Sequence, residues 1–223
     1  MRALRVATFN IRHGLGADRR IDLDRTAAAM TATAADLIAL QEVDNNLPRS
    51  GRLDQARRLG QLTGLDAAFF PTLARRGGWY GIAVAARGLG IARYEELPRA
   101  GDSEEPRGAI VARWNGLFVV ATHLSLVRAT RARQIVTLAE LAGTLDAPVI
   151  VLGDFNEDRR GLEPLGAAGF RDDGVEHATF RSRLRPRQLD YVLAGPGATV
   201  RRTWTVASDA SDHVPLAADV AVD

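Results

Sequence analysis

The stretch VIVLGDFN, residues 149–156, is an apolar run that ends abruptly in polar residues. Its first half, Val149–Leu152, consists only of Val, Ile and Leu, which is typical of a buried strand. Gly153 follows, and Asp154 and Asn156 then place a carboxylate and an amide directly after the predicted strand. The pattern predicts a strand that delivers polar groups to one edge of a sheet.

The same pattern recurs along the chain. Polar side chains flank five further predicted strands, following three of them and preceding two: Asn10, Gln41-Glu42, His123, Asp190 and Asp212-His213. In an antiparallel sheet the exit of one strand lies beside the entrance of its neighbour. We therefore expect all six sites to line the same edge of a sandwich.

Strand-like and helix-like segments alternate along the sequence. Runs rich in Val, Ile, Leu and aromatic residues predict strands at Leu4–Phe9, Asp36–Leu40, Ala67–Phe70, Gly81–Ala86, Ile91–Leu97, Gly108–Trp114, Leu117–Thr122, Val149–Leu152, Leu189–Ala194, Thr199–Val206 and Val214–Val220. Asn115-Gly116 predicts a two-residue hairpin. Helical spacing predicts helices at Leu23–Thr33, after Asp22 as N-cap, and at Leu53–Leu62, Arg128–Leu145 and Leu162–Ala168. The alternation indicates a mixed α/β or α+β layered domain with two packed sheets and helices outside.

The composition is that of an ordinary globular protein. The chain has 223 residues, of which 46% are hydrophobic and 25% are charged, so we expect a single domain over residues 1–223. The absence of cysteine excludes disulfides, thiolate metal sites and a cysteine nucleophile. The start has no apolar leader, and no run reaches the roughly 18 apolar residues of a membrane span. We expect a cytoplasmic monomer.

The charge of the chain is nearly balanced. The net charge is +2, and all 29 basic residues are arginine because the chain contains no lysine. The high pKa of arginine raises the isoelectric point without adding charge at neutral pH. The total charge therefore gives no strong electrostatic signature of a nucleic-acid-binding protein.

The residue types at the strand ends indicate a particular chemistry. Carboxylates and amides are hard oxygen ligands, which suit Mg²⁺ or Mn²⁺ better than a zinc cage. Histidines that are not metal ligands are free for acid–base work or for stabilising charge. A divalent ion with His and Asp can activate water against a phosphate ester.

Six polar motifs follow one another along the chain and together span almost all of it: Thr8–Arg12, Leu40–Val43, Thr122–Leu124, Gly153–Asn156, Leu189–Tyr191 and Ser211–Pro215. In this order they resemble the motifs of the endonuclease/exonuclease/phosphatase superfamily. The superfamily includes deoxyribonuclease I, exonuclease III, bacterial sphingomyelinases and inositol polyphosphate 5-phosphatases. The resemblance implies a four-layered α/β sandwich whose site lies at one end of two central sheets.

The resemblance also implies a metal-binding group. Glu42 matches the principal metal ligand of the superfamily. Asn10 matches the amide beside the metal and the phosphate, and Asp212 matches a residue near the metal that is sometimes a ligand. Mg²⁺ or Mn²⁺ is the implied cofactor.

A second group of matched residues is implied to be catalytic. Asp154 and Asn156 match the pair that aligns and activates the attacking water. His213 matches the histidine that stabilises charge on the phosphoryl oxygens, and Asp190 matches the carboxylate that orients it. His123 matches a second histidine of the deoxyribonuclease I and sphingomyelinase branches.

Departures from the superfamily pattern bear on the substrate. Arg12 stands where the exonuclease III branch has an acidic metal ligand, which points away from apurinic endonucleases. The segment Trp79–Ile82 lacks the glutamate that partners the second histidine in deoxyribonuclease I, so we expect His123 to be less basic than in that enzyme. Arg12 and Arg107 are candidates to clamp a substrate phosphate.

Three functions are compatible with the sequence. The first is a Mg²⁺-dependent phosphodiesterase or phosphatase that acts on a small or lipid-derived phosphoester. The second is a nuclease acting on DNA or RNA, for which arginines such as Arg75, Arg76 and those of Arg181–Arg187 supply phosphate contacts. The third is a non-catalytic binding member of the fold, which the intact motifs disfavour. The low net charge and the short connections between motifs favour a compact substrate.

Overall fold

The structure is a computed structural model that describes residues 2–90, 92–146, 148–182 and 185–223. The predicted strand Ile91–Leu97 begins at Ile91, which lies outside the described residues, as do Arg183 and Leu184 of the segment Arg181–Arg187. The description below concerns the remaining residues.

In the described parts of the chain, eleven strands form two sheets. They are β1 (Arg2–Asn10), β2 (Leu37–Asn45), β3 (Asp66–Arg75), β4 (Gly78–Ala86), β5 (Ala92–Glu96), β6 (Gly108–Trp114), β7 (Leu117–His123), β8 (Val149–Asp154), β9 (Asp190–Ala194), β10 (Ala198–Thr205) and β11 (Leu216–Val222). One sheet has the order β10-β11-β1-β2-β4-β3 and the other has the order β5-β6-β7-β8-β9.

Among the described residues, four α-helices accompany the sheets: α1 (Leu23–Ala32), α2 (Gln55–Thr63), α3 (Arg128–Gly143) and α4 (Glu163–Ala167). The predicted N-cap of α1 is confirmed, because Asp22 accepts a hydrogen bond from the backbone N–H of Arg25 at 3.0 Å. Helix α2 begins two residues later than predicted because Asp54 caps it through the Arg57 N–H. None of these helices is long and apolar enough to cross a membrane in the part of the chain that is described.

Three apolar clusters separate four layers. The central cluster lies between the sheets and includes Val6, Leu37, Val119 and Leu152. A second lies between the five-stranded sheet and helices α3 and α4, and a third lies between the six-stranded sheet and helices α1 and α2. The four-layered α/β sandwich is therefore confirmed.

Each sheet is mixed, with one parallel pair among antiparallel neighbours. β1 pairs with β2 in parallel, and β7 pairs with β8 in parallel, while the remaining neighbours are antiparallel. The carboxyl ends of parallel neighbours meet at the same sheet edge, so polar residues gather there on both sheets. The sites thus lie at one edge of the sandwich and come from both sheets.

The hairpin between β6 and β7 forms as predicted. Trp114 pairs with Leu117, and the two loop residues Asn115 and Gly116 have φ values of 52° and 80°. A two-residue loop with positive φ at both positions matches the right-handed twist of the flanking strands.

Strand β2 is longer than predicted and contains a bulge at the site. Leu40 pairs with Ala83 and Val43 pairs with Gly81, so Gln41 and Glu42 together lie opposite a single residue of β4. Glu42 has a φ of 58°, which is uncommon for a residue with a side chain. A bulge re-aims a side chain locally, and here the re-aimed side chain is the predicted metal ligand.

Candidate active site

A pocket of about 430 Å³ lies at the edge where the ends of β1, β2, β7, β8 and β9 meet. All ten residues predicted to form the site are in it or behind it. Those lining the pocket are Asn10, Arg12, Glu42, Arg107, His123, Asp154, Asn156, Asp212 and His213. Asp190 is fully buried behind His213.

Asp154 is the centre of the hydrogen-bond network. Its Oδ2 accepts a hydrogen bond from Asn10 Nδ2 at 2.9 Å, and it lies 3.5 Å from His123 Nε2 and 3.7 Å from His213 Nε2. Its Oδ1 accepts from the backbone N–H of Asn156 at 2.9 Å. Burial and the neighbouring charge of Asp190 raise the pKa of Asp154, while His213 and the hydrogen bond from Asn10 act against this.

Gly153 allows β8 to lie close enough to β7 for this arrangement. A Cβ at this position would lie 2.0 Å from the Thr122 carbonyl oxygen, and the φ of Gly153 is 151°. The close approach keeps His123 in register with Asp154 across the parallel pair. Glycine is therefore required between Leu152 and Asp154.

His213 is paired with a carboxylate. Its Nδ1 donates a hydrogen bond to Asp190 Oδ2 at 2.8 Å, and both side chains are buried. Burial alone lowers the pKa of His213, but the charge and hydrogen bond of Asp190, together with Asp154 and Asp212, raise it above its usual value. The raised pKa favours the protonated imidazole, whose Nε2 lies 3.7 Å from Asp154 Oδ2.

Thr179 supports this pair from behind. Its Oγ1 accepts hydrogen bonds from the backbone N–H groups of Leu189 and Asp190 at 3.0 and 3.2 Å. Phe180, the next residue, packs on the His213 ring with 4.9 Å between ring centroids. The loop that carries Thr179 and Phe180 thus fixes both members of the pair.

His123 is paired with a cation instead. Its Nδ1 lies 2.8 Å from Arg107 Nη1, and both residues are buried. Because guanidinium only donates, Nδ1 accepts this hydrogen bond, and the proton of the neutral ring sits on Nε2. Burial lowers the pKa of His123 well below its usual value, and the charges of Arg107 and His213 lower it further. The imidazole is a neutral donor facing Asp154.

Arg107 is held deep in the pocket wall. Only 6% of the residue is exposed, and its Nη1 also lies 3.1 Å from Glu105 Oε1. Its buried Nε has no hydrogen-bond partner among the described residues. A buried guanidinium with an unpaired N–H is suited to an anionic ligand.

Glu42 has few protein partners for a desolvated carboxylate. Its Oε1 accepts a hydrogen bond from Asn10 Nδ2 at 3.1 Å, and no hydrogen bond to its Oε2 is found in the described part of the chain. Desolvation raises the pKa of Glu42, while Asn10 and the charge of His213 oppose the rise. A carboxylate in this condition fits a bound cation.

The other predicted metal ligands, Asn10 and Asp212, have protein partners but keep oxygen lone pairs free for a metal ion. Asn10 Oδ1 accepts from the backbone N–H of Arg12 at 3.1 Å, which leaves one lone pair of that oxygen. Asp212 Oδ2 lies 3.3 Å from Arg12 Nη1. With no thiolate in the chain, this oxygen donor set fits Mg²⁺ or Mn²⁺.

A second group of possible ligand atoms consists of Asp154, Asp190 and His213, whose ligand atoms all lie within 4.8 Å of one another. A proton already joins His213 to Asp190 in this group. A metal ion bound there would have to displace that proton.

The structure adds residues that the sequence analysis did not identify as part of the site. Arg49 and Tyr80 line the pocket, Glu105 contacts Arg107, and Thr179 and Phe180 support His213. Arg49 is bound by Asp44, which is fully buried in β2. Because the predicted strand ends at Leu40, no pattern in the sequence marked Asp44 as a buried carboxylate that requires a partner.

The sequence matches the Endonuclease/Exonuclease/phosphatase family model over residues 7–213. The chain belongs to this family. All of the catalytic and metal-binding residues predicted above lie within the matched range.

Solved structures of the endonuclease/exonuclease/phosphatase fold resemble the whole chain. An endonuclease/exonuclease/phosphatase from Beutenbergia cavernae is 23% identical with a TM-score of 0.82, covering 100% of this chain and 72% of that one. Danio rerio TDP2 in complex with a single-strand DNA product is 18% identical with a TM-score of 0.73, covering 100% of both chains. A mannosyl-6-phosphatase from Bacteroides thetaiotaomicron is 17% identical with a TM-score of 0.70, covering 98% of this chain and 99% of that one. At these identities the likeness shows the shared fold. A comparison with curated proteins gives no significant match.

Proposed function

We propose that this family member is a Mg²⁺- or Mn²⁺-dependent phosphoesterase that hydrolyses a compact phosphoester by in-line attack of water. The observation that carries the proposal is the position of Asp154, a buried carboxylate with a raised pKa between two histidines of opposite character. The family match over residues 7–213 supports a single catalytic domain.

Asp154 is proposed as the base that takes the proton of the attacking water. A carboxylate with a raised pKa accepts a proton more readily near neutral pH than an ordinary one. The amide of Asn10 and the backbone N–H of Asn156 hold its two oxygens in place. Asn156 is itself held by its hydrogen bond to the Leu124 carbonyl at 3.0 Å, and it is proposed to help align the water.

His213 is proposed to stabilise the negative charge that develops on the phosphoryl oxygens. A preorganised cation acts more strongly on the transition state than on the ground state because the charge on the phosphoryl group grows. Asp190 keeps the imidazole charged and fixes its orientation, much as the carboxylate does in a catalytic triad. The buried Asp190–His213 hydrogen bond of 2.8 Å supports these roles.

Arg107 and Arg12 are proposed to bind non-reacting phosphate oxygens. Arg107 is buried and has an unpaired Nε among the described residues, whereas Arg12 is partly exposed beside Asp212. His123, neutral and held by Arg107, is proposed to donate toward Asp154 and keep that carboxylate in position.

Glu42, Asn10 and Asp212 are proposed to hold the divalent ion. When bound, such an ion polarises the phosphate and stabilises its developing charge. The sparse hydrogen bonding of Glu42 supports its assignment as the principal ligand.

A compact substrate is favoured by the size of the pocket and by the low net charge of the chain, +2. Long duplex DNA requires many phosphate contacts along an extended groove. The mannosyl-6-phosphatase named above shows that this fold accommodates a phosphatase, which is consistent with a small phosphoester here.

A nuclease is the second candidate, because an arginine-rich groove adjoins the pocket. The groove has a volume of about 650 Å³ and is lined by Arg159, Arg160, Arg185 and Arg187, and Arg187 lines the pocket as well. Arg159 is paired with Asp172, which reduces the charge available to a nucleic acid. The TDP2 structure named above contains a single-strand DNA product.

The test is a panel of phosphoesters assayed with Mg²⁺, with Mn²⁺ and with excess EDTA. The panel contains a model monoester, a model diester, sphingomyelin, inositol phosphates and plasmid DNA over a salt series. We expect turnover of a small or lipid-derived ester that EDTA abolishes and added Mg²⁺ or Mn²⁺ restores.

Glu42→Gln should remove most of this activity, whereas Glu140→Gln, which alters an exposed residue of α3, should not. Full activity in a rigorously metal-free preparation contradicts the role of the metal. Efficient plasmid nicking with a steep salt dependence and poor use of every small ester would favour the nuclease. No turnover of any ester would leave a binding protein.

A further inference from the structure

Arg49 is fixed in the pocket wall by a buried carboxylate. Its Nε donates to Asp44 Oδ2 at 2.8 Å and its Nη2 donates to Asp44 Oδ1 at 2.7 Å. Asp44 is fully buried and also accepts from Ser50 Oγ at 2.8 Å. This two-point contact fixes the plane of the guanidinium.

The two-point contact with Asp44 leaves Nη1 of the Arg49 guanidinium available for another ligand. The contacts to Asp44 use Nε and Nη2, and within the described residues no hydrogen bond is found for Nη1. The side chain of Arg49 is 37% exposed and lines the same pocket as Asp154 and His213. A rigid guanidinium with free donors binds an oxyanion without the entropic cost of ordering a flexible side chain.

Tyr80 lies beside Arg49 in the pocket wall. The Arg49 guanidinium carbon lies 5.7 Å from the centre of the Tyr80 ring. Tyr80 is 9% exposed, and it lines the same pocket as Arg49 and Arg107. Arg49 therefore lies in the wall of the pocket that also contains the arginine proposed to bind the reacting phosphate.

We propose that Arg49 forms a second anion-binding subsite, so that the substrate is a compact phosphoester carrying a second oxyanion. The second group is a phosphate or a carboxylate that reaches Arg49 within the same pocket as the reacting phosphate. This inference rests on the proposed phosphoesterase function and adds the substrate class to it.

The test compares propyl phosphate with ω-carboxyalkyl phosphates and α,ω-alkanediol bisphosphates whose spacers have two to six carbons. Initial rates of phosphate release in Mg²⁺ give kcat and KM for each ester. For the wild type we expect kcat/KM to be at least about tenfold higher for one spacer length with a second anion, mainly through a lower KM. The two series distinguish a carboxylate from a phosphate as the second group.

The variant is Asp44→Asn/Arg49→Gln, which removes the ion pair without leaving a buried charge unpaired. We expect the ratio of kcat/KM between the doubly anionic and the singly anionic ester to fall about tenfold. Arg49→Lys keeps the charge but cannot make the two-point contact with Asp44, so it should retain part of the preference for the doubly anionic ester. Arg52→Gln removes one charge from the same loop at an exposed position outside the pocket and should leave the ratio unchanged.

Two kinetic results would overturn the inference. One is a wild type without preference for any doubly anionic ester, and the other is an equal loss for both ester classes in the double variant, which indicates a purely structural ion pair. An effect of Arg49 that appears only with oligonucleotides and grows with their length would assign the subsite to a polymer and would also overturn it.

If the wild type hydrolyses no ester, the proposed function fails separately from the inference. Calorimetric binding of the propanediol bisphosphate and of propyl phosphate in Mg²⁺ then tests the subsite directly. Tighter binding of the bisphosphate that depends on Arg49 supports the subsite, and equal binding overturns it. Thermal melting of each variant checks that it folds.

Discussion

The two buried histidines of the pocket differ in one respect that determines their chemistry. His213 Nδ1 lies 2.8 Å from an Asp190 oxygen, and His123 Nδ1 lies 2.8 Å from an Arg107 nitrogen. Desolvation lowers the pKa of both rings, but the carboxylate reverses that effect and the guanidinium reinforces it. The identity of the partner, and not the extent of burial, therefore makes one imidazole a cation and the other a neutral donor.

The largest loss of activity is expected from removing the carboxylate of the Asp190–His213 pair. Asp190→Asn takes away the charge that keeps His213 protonated, and we expect kcat to fall by about 10²-fold or more. His213→Gln should cost a similar factor. Because the two residues act as a unit, the double variant should be little worse than the more damaging single variant.

Steady-state kinetics on the best ester of the panel would measure these losses. Asp172→Asn, which alters a carboxylate paired with Arg159 outside the pocket, is the control. If the two single losses multiply in the double variant, Asp190 does not act through His213.

A smaller loss of activity is expected from removing the guanidinium of the Arg107–His123 pair. Arg107→Gln releases His123 Nδ1 and removes a proposed phosphate ligand, so we expect kcat/KM to fall about tenfold. Arg113→Gln alters an exposed residue near the far end of β6, the strand that begins directly after Arg107, and should have little effect.

Nitrogen-15 NMR of the histidines would report the tautomer directly. In the wild type, His123 should be protonated on Nε2 alone at neutral pH, and Arg107→Gln should shift the ring toward a mixture of states. A doubly protonated His123 in the wild type would contradict the contrast between the two pairs.

A few-fold effect is expected from weakening the support of Asp190. Thr179→Val keeps the shape of the side chain but leaves the N–H groups of Leu189 and Asp190 without their acceptor. We expect kcat to fall about threefold to tenfold and the protein to lose about 1–3 kcal/mol of stability. Thr179→Ser restores the acceptor and should recover both, whereas a failure to recover would point to packing.

His13 shows how burial affects the pKa of a histidine that has no direct carboxylate partner. Burial lowers its pKa to about 4, and Arg49 and Arg12 contribute to the shift. A folded-state pKa below the unfolded value near 6.5 means that stability is present above pH 6.5 and is lost as the pH falls toward 4.

Between pH 7 and pH 5 we expect the wild type to lose about 1–2 kcal/mol more than His13→Asn, as measured by urea unfolding. Asparagine suits this position because the φ of His13 is 46°. Equal losses in both proteins would show that His13 is not responsible.

Most strands could be located from the sequence because apolar runs bounded by turn residues form strands in the folded protein. Gly108–Trp114 matches its strand without error, and the Asn115-Gly116 turn forms as predicted. The errors fall at strand ends. The prediction ended β2 at Leu40 because Gln41 and Glu42 are polar, but these two residues form a bulge and the strand continues to Asn45. The prediction began β11 at Val214, whereas the strand begins at Leu216, directly after Pro215.

The candidate site could be predicted as a set of residues but not as a set of contacts. Asp154 and Asn10 stand in recognisable motifs, whereas the hydrogen bond between them joins residues 144 positions apart on different sheets. Arg49 has no motif to mark it, because its importance arises from a buried partner and a neighbouring ring.

The order and type of the reactive groups reside in the local sequence, since strand propensity and the position of a polar residue after an apolar run are short-range properties. Hard oxygen donors, two histidines in matched motifs and the absence of cysteine restrict the reactive groups to types that suit the proposed metal-assisted hydrolysis. The protonation state of each histidine was not restricted in this way. It depends on whether Asp190 or Arg107 lies within hydrogen-bond distance. Arg107 meets His123 through the pairing of β6 with β7 in one sheet, whereas Asp190 at the start of β9 reaches His213, just before β11 of the other sheet, only when the two sheets pack face to face. Charge–charge interactions act through space, so they become defined once the fold excludes water from between the partners.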